Sequence, residues 1–163
     1  MMIKTERLML RMPSNDDWPA YRDYRLSPRS TAPGEDIGMV WTLFAALFGH
    51  WTLRGFGRFI ATLNGRAIGH FGPYRPEGHP EGELTWTLWD AGLEGKGYAF
   101  EATQATRDHV FGPLGWTTSI SYIDPVNRRS QALASRLGAV RDPLAACPYD
   151  GFQVWRHGKG IVA

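Results

Sequence analysis

The spacing of hydrophobic and polar positions changes several times along the chain, and each change marks an element. "TERLMLRM", Thr5 to Met12, alternates with Leu8 and Leu10 on one face, which predicts a first strand. In "SNDDW", Ser14 or Asn15 can cap a helix with acids in its first turn, and that helix runs through Tyr21 and Tyr24. A Pro-, Ser- and Gly-rich break from Ser27 to Gly34 separates it from a second helix, roughly Asp36 to Leu53. The most apolar run of the chain, "MVWTLFAALFGHWTL" from Met39 to Leu53, lies in that helix. It is too short for a membrane span and carries His50, so it reads as a buried or partner-facing helix.

"GRFIATL" and "RAIGHFG" follow, joined by Asn64-Gly65, the dipeptide that best fits a tight hairpin because both central positions need positive φ. After a loop holding Pro76, Gly78, Pro80 and Gly82 comes "ELTWTLWD", Glu83 to Asp90, in which Leu84, Trp86 and Leu88 alternate with Thr85, Thr87 and Trp89. A glycine loop and an amphipathic helix reach Phe111, and "WTTSISYI", Trp116 to Ile123, forms the next strand. A short helix from about Asn127 to Leu137 ends at Gly138, a left-handed cap, and strands near Ala139–Asp142 and Phe152–Arg156 close the chain. The order mixes a hairpin with strand-helix-strand crossovers. It predicts an α/β (α+β) fold whose sheet is part antiparallel and part parallel.

Composition narrows the class. At 163 residues, 43% hydrophobic and 13% aromatic, the chain has the material for a packed core and is expected to form one domain over 1–163. The net charge of +2 is mild and the 18 basic residues are scattered, so nucleic acid is not an expected partner. The lone Cys147 cannot close an internal disulfide and has no CxxC mate for zinc, which points to a reducing cytoplasm and no metal. The N-terminus lacks a basic-apolar signal pattern, and no membrane association is expected.

The stretch "LEGKGYAFEATQATRDHVF", Leu93 to Phe111, carries the main chemical signal. Ala99, Ala102, Thr106 and Val110 share one helical face, and Glu101, Gln104 and Asp108 share another. At the start of that helix Gly95, Lys96, Gly97, Tyr98 and Ala99 can aim free backbone N–H groups outward, reinforced by the helix dipole. Such a helix start binds an anion; the bland alternative is an ordinary loop or cap. Neither well-known phosphate motif fits, because Lys96 is followed by Gly97 rather than Ser or Thr, and Phe100 fills the third glycine position of a dinucleotide fingerprint.

"GKGYAFEA", preceded by "ELTWTLWD" and followed by "DPVNRRSQALASRLGA", resembles the acyl-CoA-binding core of the GNAT superfamily of N-acetyltransferases. "TERLMLR" and the Asn127–Ser130 spacing are similar to its RimJ/RimL-like branch, and the resemblance covers nearly the whole chain. It implies a mixed, mostly antiparallel sheet of about six to seven strands with about four helices, and a splayed parallel pair at the acyl-CoA site. It further implies acetyl transfer from acetyl-CoA to a small-molecule or peptide amine, a protein N-terminal amine among them, with a homodimer left open. The loop pattern [QR]-x-x-G-x-[GA] is met by Gly97 and Ala99, while Glu94 takes the Gln/Arg position. By the same resemblance the pyrophosphate of coenzyme A sits on Gly95–Ala99, and its pantetheine arm pairs with the Glu83–Asp90 strand around Trp86 and Leu88.

Acetyl transfer needs a neutral amine, stabilisation of the oxyanion and a partner for the departing thiolate. A backbone N–H between Trp86 and Trp89 serves the oxyanion. Glu83, at a strand start, is the candidate base if it is desolvated; otherwise it is a solvated strand-end carboxylate. His70 and His109 are alternatives, each equally readable as a packed residue. The resemblance puts a Tyr acid seven residues after the motif Asn, but Ala134 stands there; the resemblance to the RimJ/RimL-like branch instead implies that Ser130 lies near the coenzyme A sulfur, and Ser130 shares an inward face with Leu133, Ala134 and Leu137. Ser130 reads otherwise as a helix-start Ser bonded to backbone, and Asn127 either bonds the pantetheine amides or caps the helix. Cys147, Asp150 and His157 suggest a thiol nucleophile, yet nothing in the sequence brings them together. Trp41, Trp51, Phe56 and Trp86 can line an acceptor pocket or fill the core. A second reading, from a different class, is a catalytically silent acyl-CoA-binding or interaction module, favoured by Ala134 and Glu94.

Overall fold

The N-terminal alternation folds as two strands where one is predicted. In the computed structural model, which describes residues 1–30 and 34–158, β1 (Met2–Lys4) and β2 (Met9–Arg11) pair antiparallel. The reversal is made by Thr5: its N–H donates to the Leu8 carbonyl at 2.9 Å, and its hydroxyl accepts the Leu8 N–H at 3.0 Å. A side-chain turn of this kind leaves the period-two pattern nearly intact, so alternation alone does not reveal it. Ser14 then caps a 3-10 turn at Asn15–Asp17 in a capping box with Asp17, and α1 (Trp18–Arg25) follows. The predicted break from Ser27 to Gly34 lies partly outside the described residues. Asp36 caps α2 (Ile37–Arg54) through the Met39 N–H, and the helix buries Val40, Phe44, Leu47 and Trp51 on one stripe.

β3 (Phe59–Leu63) and β4 (Arg66–Tyr74) form the predicted hairpin, with Asn64 and Gly65 at φ of 50° and 80°. β5 (Glu83–Leu88), α3 (Tyr98–Phe111), β6 (Thr118–Ile123), α4 (Arg128–Arg136), β7 (Val140–Arg141) and β8 (Gln153–Gly158) complete the chain. Among the described residues eight strands lie in the order β1-β2-β3-β4-β5-β6-β8-β7, against the six to seven expected; the split first strand accounts for the excess. Phe59 and Ala61 face a cluster that holds Leu8, Phe71 and Ala102 of α3, while Ile60 faces Tyr21, Phe44 and Trp89 under α1 and α2. Helices therefore cover both faces. No helix among the described residues is long and apolar enough to cross a membrane.

The sheet is antiparallel except where β5 meets β6, and that pair is joined in register at Glu83 and Ile120 alone. The Ile120 N–H donates to the Gly82 carbonyl at 3.0 Å, but one step on the ladder fails. The Leu84 carbonyl is taken by Ser121 Oγ at 2.6 Å, and the Tyr122 N–H turns towards Glu83 Oε1 at 3.5 Å. With their next backbone partners capped by side chains, the strands part.

Candidate active site

The parting of β5 from β6 opens a cavity of about 1010 Å³ lined by Trp86, Leu88, Gly95, Gly97, Tyr98, Ala99, Asn127 and Ser130 among others. Drawn from β5, the glycine loop and α4, these are the residues the sequence nominates for the acyl donor apart from Lys96, which does not line the cavity. Register defines which backbone groups face the gap. Trp89 gives its N–H to the Ile68 carbonyl at 2.8 Å, so Trp89, Thr87 and Thr85 spend their main-chain groups on β4. Trp86 and Leu88 point theirs the other way, towards the cavity. Trp89 is thereby excluded as an oxyanion donor.

At the loop, Gly97 is in the left-handed region at φ +83° and opens α3, whose first intrahelical bond is Glu101 N–H to the Gly97 carbonyl. The N–H groups of Tyr98, Ala99 and Phe100 precede that bond and are left for an outside acceptor. Arg7 props the loop from beneath: its guanidinium donates to Glu101 Oε2 at 2.6 Å and to the Lys96 carbonyl at 2.9 Å, and lies 4.4 Å from the Tyr98 ring centre. Lys96 itself contributes backbone, its side chain being exposed. Glu94, in the position where the resemblance expects Gln or Arg, is ion-paired to both Arg29, at 2.5 Å, and Arg129. Burial alone would raise the Glu94 carboxyl, but the two arginines hold it below the ordinary carboxylate range. Arg29 also donates twice to the Leu88 carbonyl, at 3.2 and 3.0 Å. Sequence reasoning missed this clasp, although an acid in a phosphate loop is itself a signal that bases stand close by.

On α4, Asn127 caps the helix by accepting the Ser130 N–H at 3.0 Å, as its bland reading has it. Among the described residues the Ser130 side chain makes no bond to backbone; it accepts the Trp86 Nε1–H at 3.1 Å. Ala134 is fully buried against Ile123, Ala139 and Trp155, with no hydroxyl to offer.

On the opposite face of β5, three residues from Trp86, Glu83 is 9% exposed. Burial pushes its carboxyl up to about 7, against a partial lowering by the Tyr122 N–H and Arg58. Beside it the Tyr122 hydroxyl is buried and has no hydrogen-bond partner among the described residues; burial, reinforced by Glu83, pushes it up to about 12. The histidine alternatives are packed residues. Trp89 Nε1–H occupies His70 Nδ1 at 3.0 Å, and His109 stands edge-on to Phe59. Cys147 packs beside Ile120, Tyr122 and Val154 and donates to the Tyr149 carbonyl. His157 lies on the other sheet face, its Nε2–H on Ser121 Oγ at 2.9 Å, and burial keeps it neutral down to about 4. Among the described residues no thiol-imidazole pair forms. Of the four aromatics named from sequence, Trp86 alone lines the cavity; Trp51 is core, Trp41 is exposed and Phe56 packs on Trp116.

Comparison with known proteins places the fold. The acetyltransferase (GNAT) domain model matches residues 7–140. The acetyltransferase from Agrobacterium tumefaciens str. C58 is 39% identical, with 98% of this chain and 95% of that one covered at a TM-score of 0.91. Ribosomal-protein-S5-alanine acetyltransferase from Vibrio fischeri shares the fold at 16% identity, covering 97% of this chain and 96% of that one, TM-score 0.77. Mycobacterium smegmatis RimJ in complex with CoA-disulfide does so at 18% identity, covering 93% and 82%, TM-score 0.73.

Proposed function

We propose that this chain, which belongs to the GNAT acetyltransferase family, moves an acetyl group from acetyl-CoA to a primary amine, a protein N-terminal amine in the RimJ/RimL manner. The observation that carries this reading is the two-sided gap. A cavity with a glycine cradle and Ser130 lies on one face of β5, and a buried carboxyl, Glu83, lies on the other. The donor side suits a long anionic thioester: free N–H groups stand at the start of α3, Arg29, Arg128, Arg129 and Arg136 line the walls, and Trp86 and Leu88 offer main-chain partners for the pantetheine amides. Bound there, acetyl-CoA supplies an acyl group activated by its thiol leaving group.

Glu83, neutral or charged in comparable amounts near pH 7, accepts the proton of an incoming ammonium. The freed amine attacks directly, without a covalent enzyme intermediate. The N–H of Trp86 or Leu88 receives the charge that builds on the carbonyl oxygen, and Ser130 hydrogen-bonds the departing sulfur. The protein acceptor is supported by the names of the fold neighbours. The proposed setting is the cytoplasm, supported by the single cysteine, with one catalytic domain spanning 1–163.

Ala134 at the usual acid position favours the second reading, a silent acyl-CoA-binding module. Thiol release from acetyl-CoA, measured against peptides with varied N-termini, Nα-blocked lysine peptides and small amines, separates the two. Release with free N-termini and not with blocked peptides is expected. A rise in melting temperature with acetyl-CoA but no release from any acceptor establishes the silent module, and no rise at millimolar acetyl-CoA removes both.

A further inference from the structure

The Trp86–Ser130 contact specifies more than position. A serine hydroxyl has one hydrogen to give and two lone pairs. Indole Nε1–H is a donor only, so at 3.1 Å it must use a lone pair of Ser130 Oγ. Among the described residues no acceptor takes the Ser130 hydrogen. Both side chains line the cavity. The indole itself is fixed, packed between the cluster under α3 and the Ile123–Ala134–Trp155 cluster under α4.

We propose that Trp86 is a positioning residue that aims Ser130 as a donor to the coenzyme A sulfur. By occupying one of the two lone pairs it fixes the hydroxyl, turns the O–H hydrogen towards the cavity, and polarises the O–H bond so that it donates more strongly. In the step served, the amine nitrogen bonds to the acetyl carbon and the C–S bond breaks with its electron pair passing to sulfur. The Ser130 O–H holds the thiolate by a charge-assisted hydrogen bond, and the thiolate takes, through solvent, the proton that the acylated nitrogen sheds. Ser130 keeps its own hydrogen. The inference rests on the acetyl-transfer reading above and adds to it the origin of Ser130's donor strength.

The test is a double-mutant cycle of Trp86→Phe and Ser130→Ala, with kcat measured on a good acceptor and coenzyme A binding measured by calorimetry between pH 7 and 10. Trp86→Phe is expected to lower kcat roughly 10-fold with the KM for acetyl-CoA little changed, and to add nothing when Ser130 is already Ala. In the wild type, coenzyme A binding is expected to tighten as its thiol ionises, with no such trend for desulfo-coenzyme A; Trp86→Phe and Ser130→Ala should both flatten it. A full additional loss in the double variant overturns the proposal, as does an unchanged pH trend in Trp86→Phe. If Ser130→Ala itself leaves kcat and the trend intact, the Ser130 assignment fails instead, which distinguishes the two. Should Trp86→Phe not fold, β-(3-benzothienyl)alanine at position 86 keeps the ring outline and replaces N–H by sulfur, and the same outcomes are read.

Discussion

Replacing Glu83 by Gln keeps the shape and much of the hydrogen bonding of the side chain while removing its titration. Burial raises this carboxyl from an ordinary 4.5 to about 7, which amounts to about 3 kcal/mol between its protonation states. The sign follows from where each state ionises. Below pH 4.5 the carboxyl is protonated folded and unfolded, and contributes no pH dependence. Above it the unfolded chain ionises first, so stability drains away until the folded carboxyl ionises near pH 7, and is level beyond. Glu83→Gln has no such loss. Its stability minus that of the wild type should therefore climb by about 3 kcal/mol between pH 4.5 and 7 and stay flat to pH 8.5, equivalent to roughly 10 °C in melting temperature at pH 8 for a domain of this size. Urea unfolding of both proteins at fixed ionic strength reads this directly, since every other titrating group cancels in the difference. Activity should move the opposite way: kcat should fall roughly 10²–10⁴-fold at pH 6, and less at pH 9, where an N-terminal amine of pKa about 7.7–8.0 is already neutral. Parallel stability profiles would refute the desolvation argument. Wild-type rates in the variant from pH 6 to 9 would refute the base, leaving solvent to deprotonate the amine.

Two further outcomes test the donor side. Gly97→Asp puts a carboxylate at the cradle, its Cβ 3.2 Å from Arg7 Nη2 and its backbone at φ +83°, and should abolish the thermal shift given by acetyl-CoA; Gly97→Ala carries the backbone strain without the charge and should keep part of the shift. Glu94→Gln releases Arg29 and Arg129 from their shared counter-ion, so coenzyme A should bind several-fold tighter at low salt, with the gain shrinking at 0.5 M salt in calorimetry. Unchanged affinity would mean that the clasp does not face the phosphates.

What was legible in the sequence was what neighbouring residues decide among themselves. Asn64-Gly65 makes its hairpin, Asn127 and Gly138 bound α4, and the apolar run from Met39 to Leu53 lies in the helix α2. The Thr5 reversal was not legible because a side chain, rather than Gly or Pro, closes it. Arg29 was not either: it lies in a stretch without periodicity, and the carbonyl it holds, that of Leu88, is 59 residues away. The inward face of α4 nominated Ser130, but the indole that occupies one of its lone pairs sits 44 residues earlier on another element. Glu83 could be named from its place at a strand start, whereas its burial depends on β6.

One functional relation, however, was already present in "ELTWTL". Residues an odd number of positions apart on a strand face opposite sides of the sheet, so Glu83 and Trp86 cannot share a face. In a continuous sheet that separation would keep a base and a thiolate donor from ever meeting the same bond. Here the ladder between β5 and β6 stops after Glu83–Ile120, because Ser121 takes the Leu84 carbonyl and Tyr122 turns its N–H to the Glu83 carboxylate. The gap begins beside Glu83 itself. In the proposed mechanism an amine deprotonated on one face reaches, through that gap, an acyl carbon whose sulfur is held on the other, so the rupture of the sheet is what would let a two-faced strand serve one reaction.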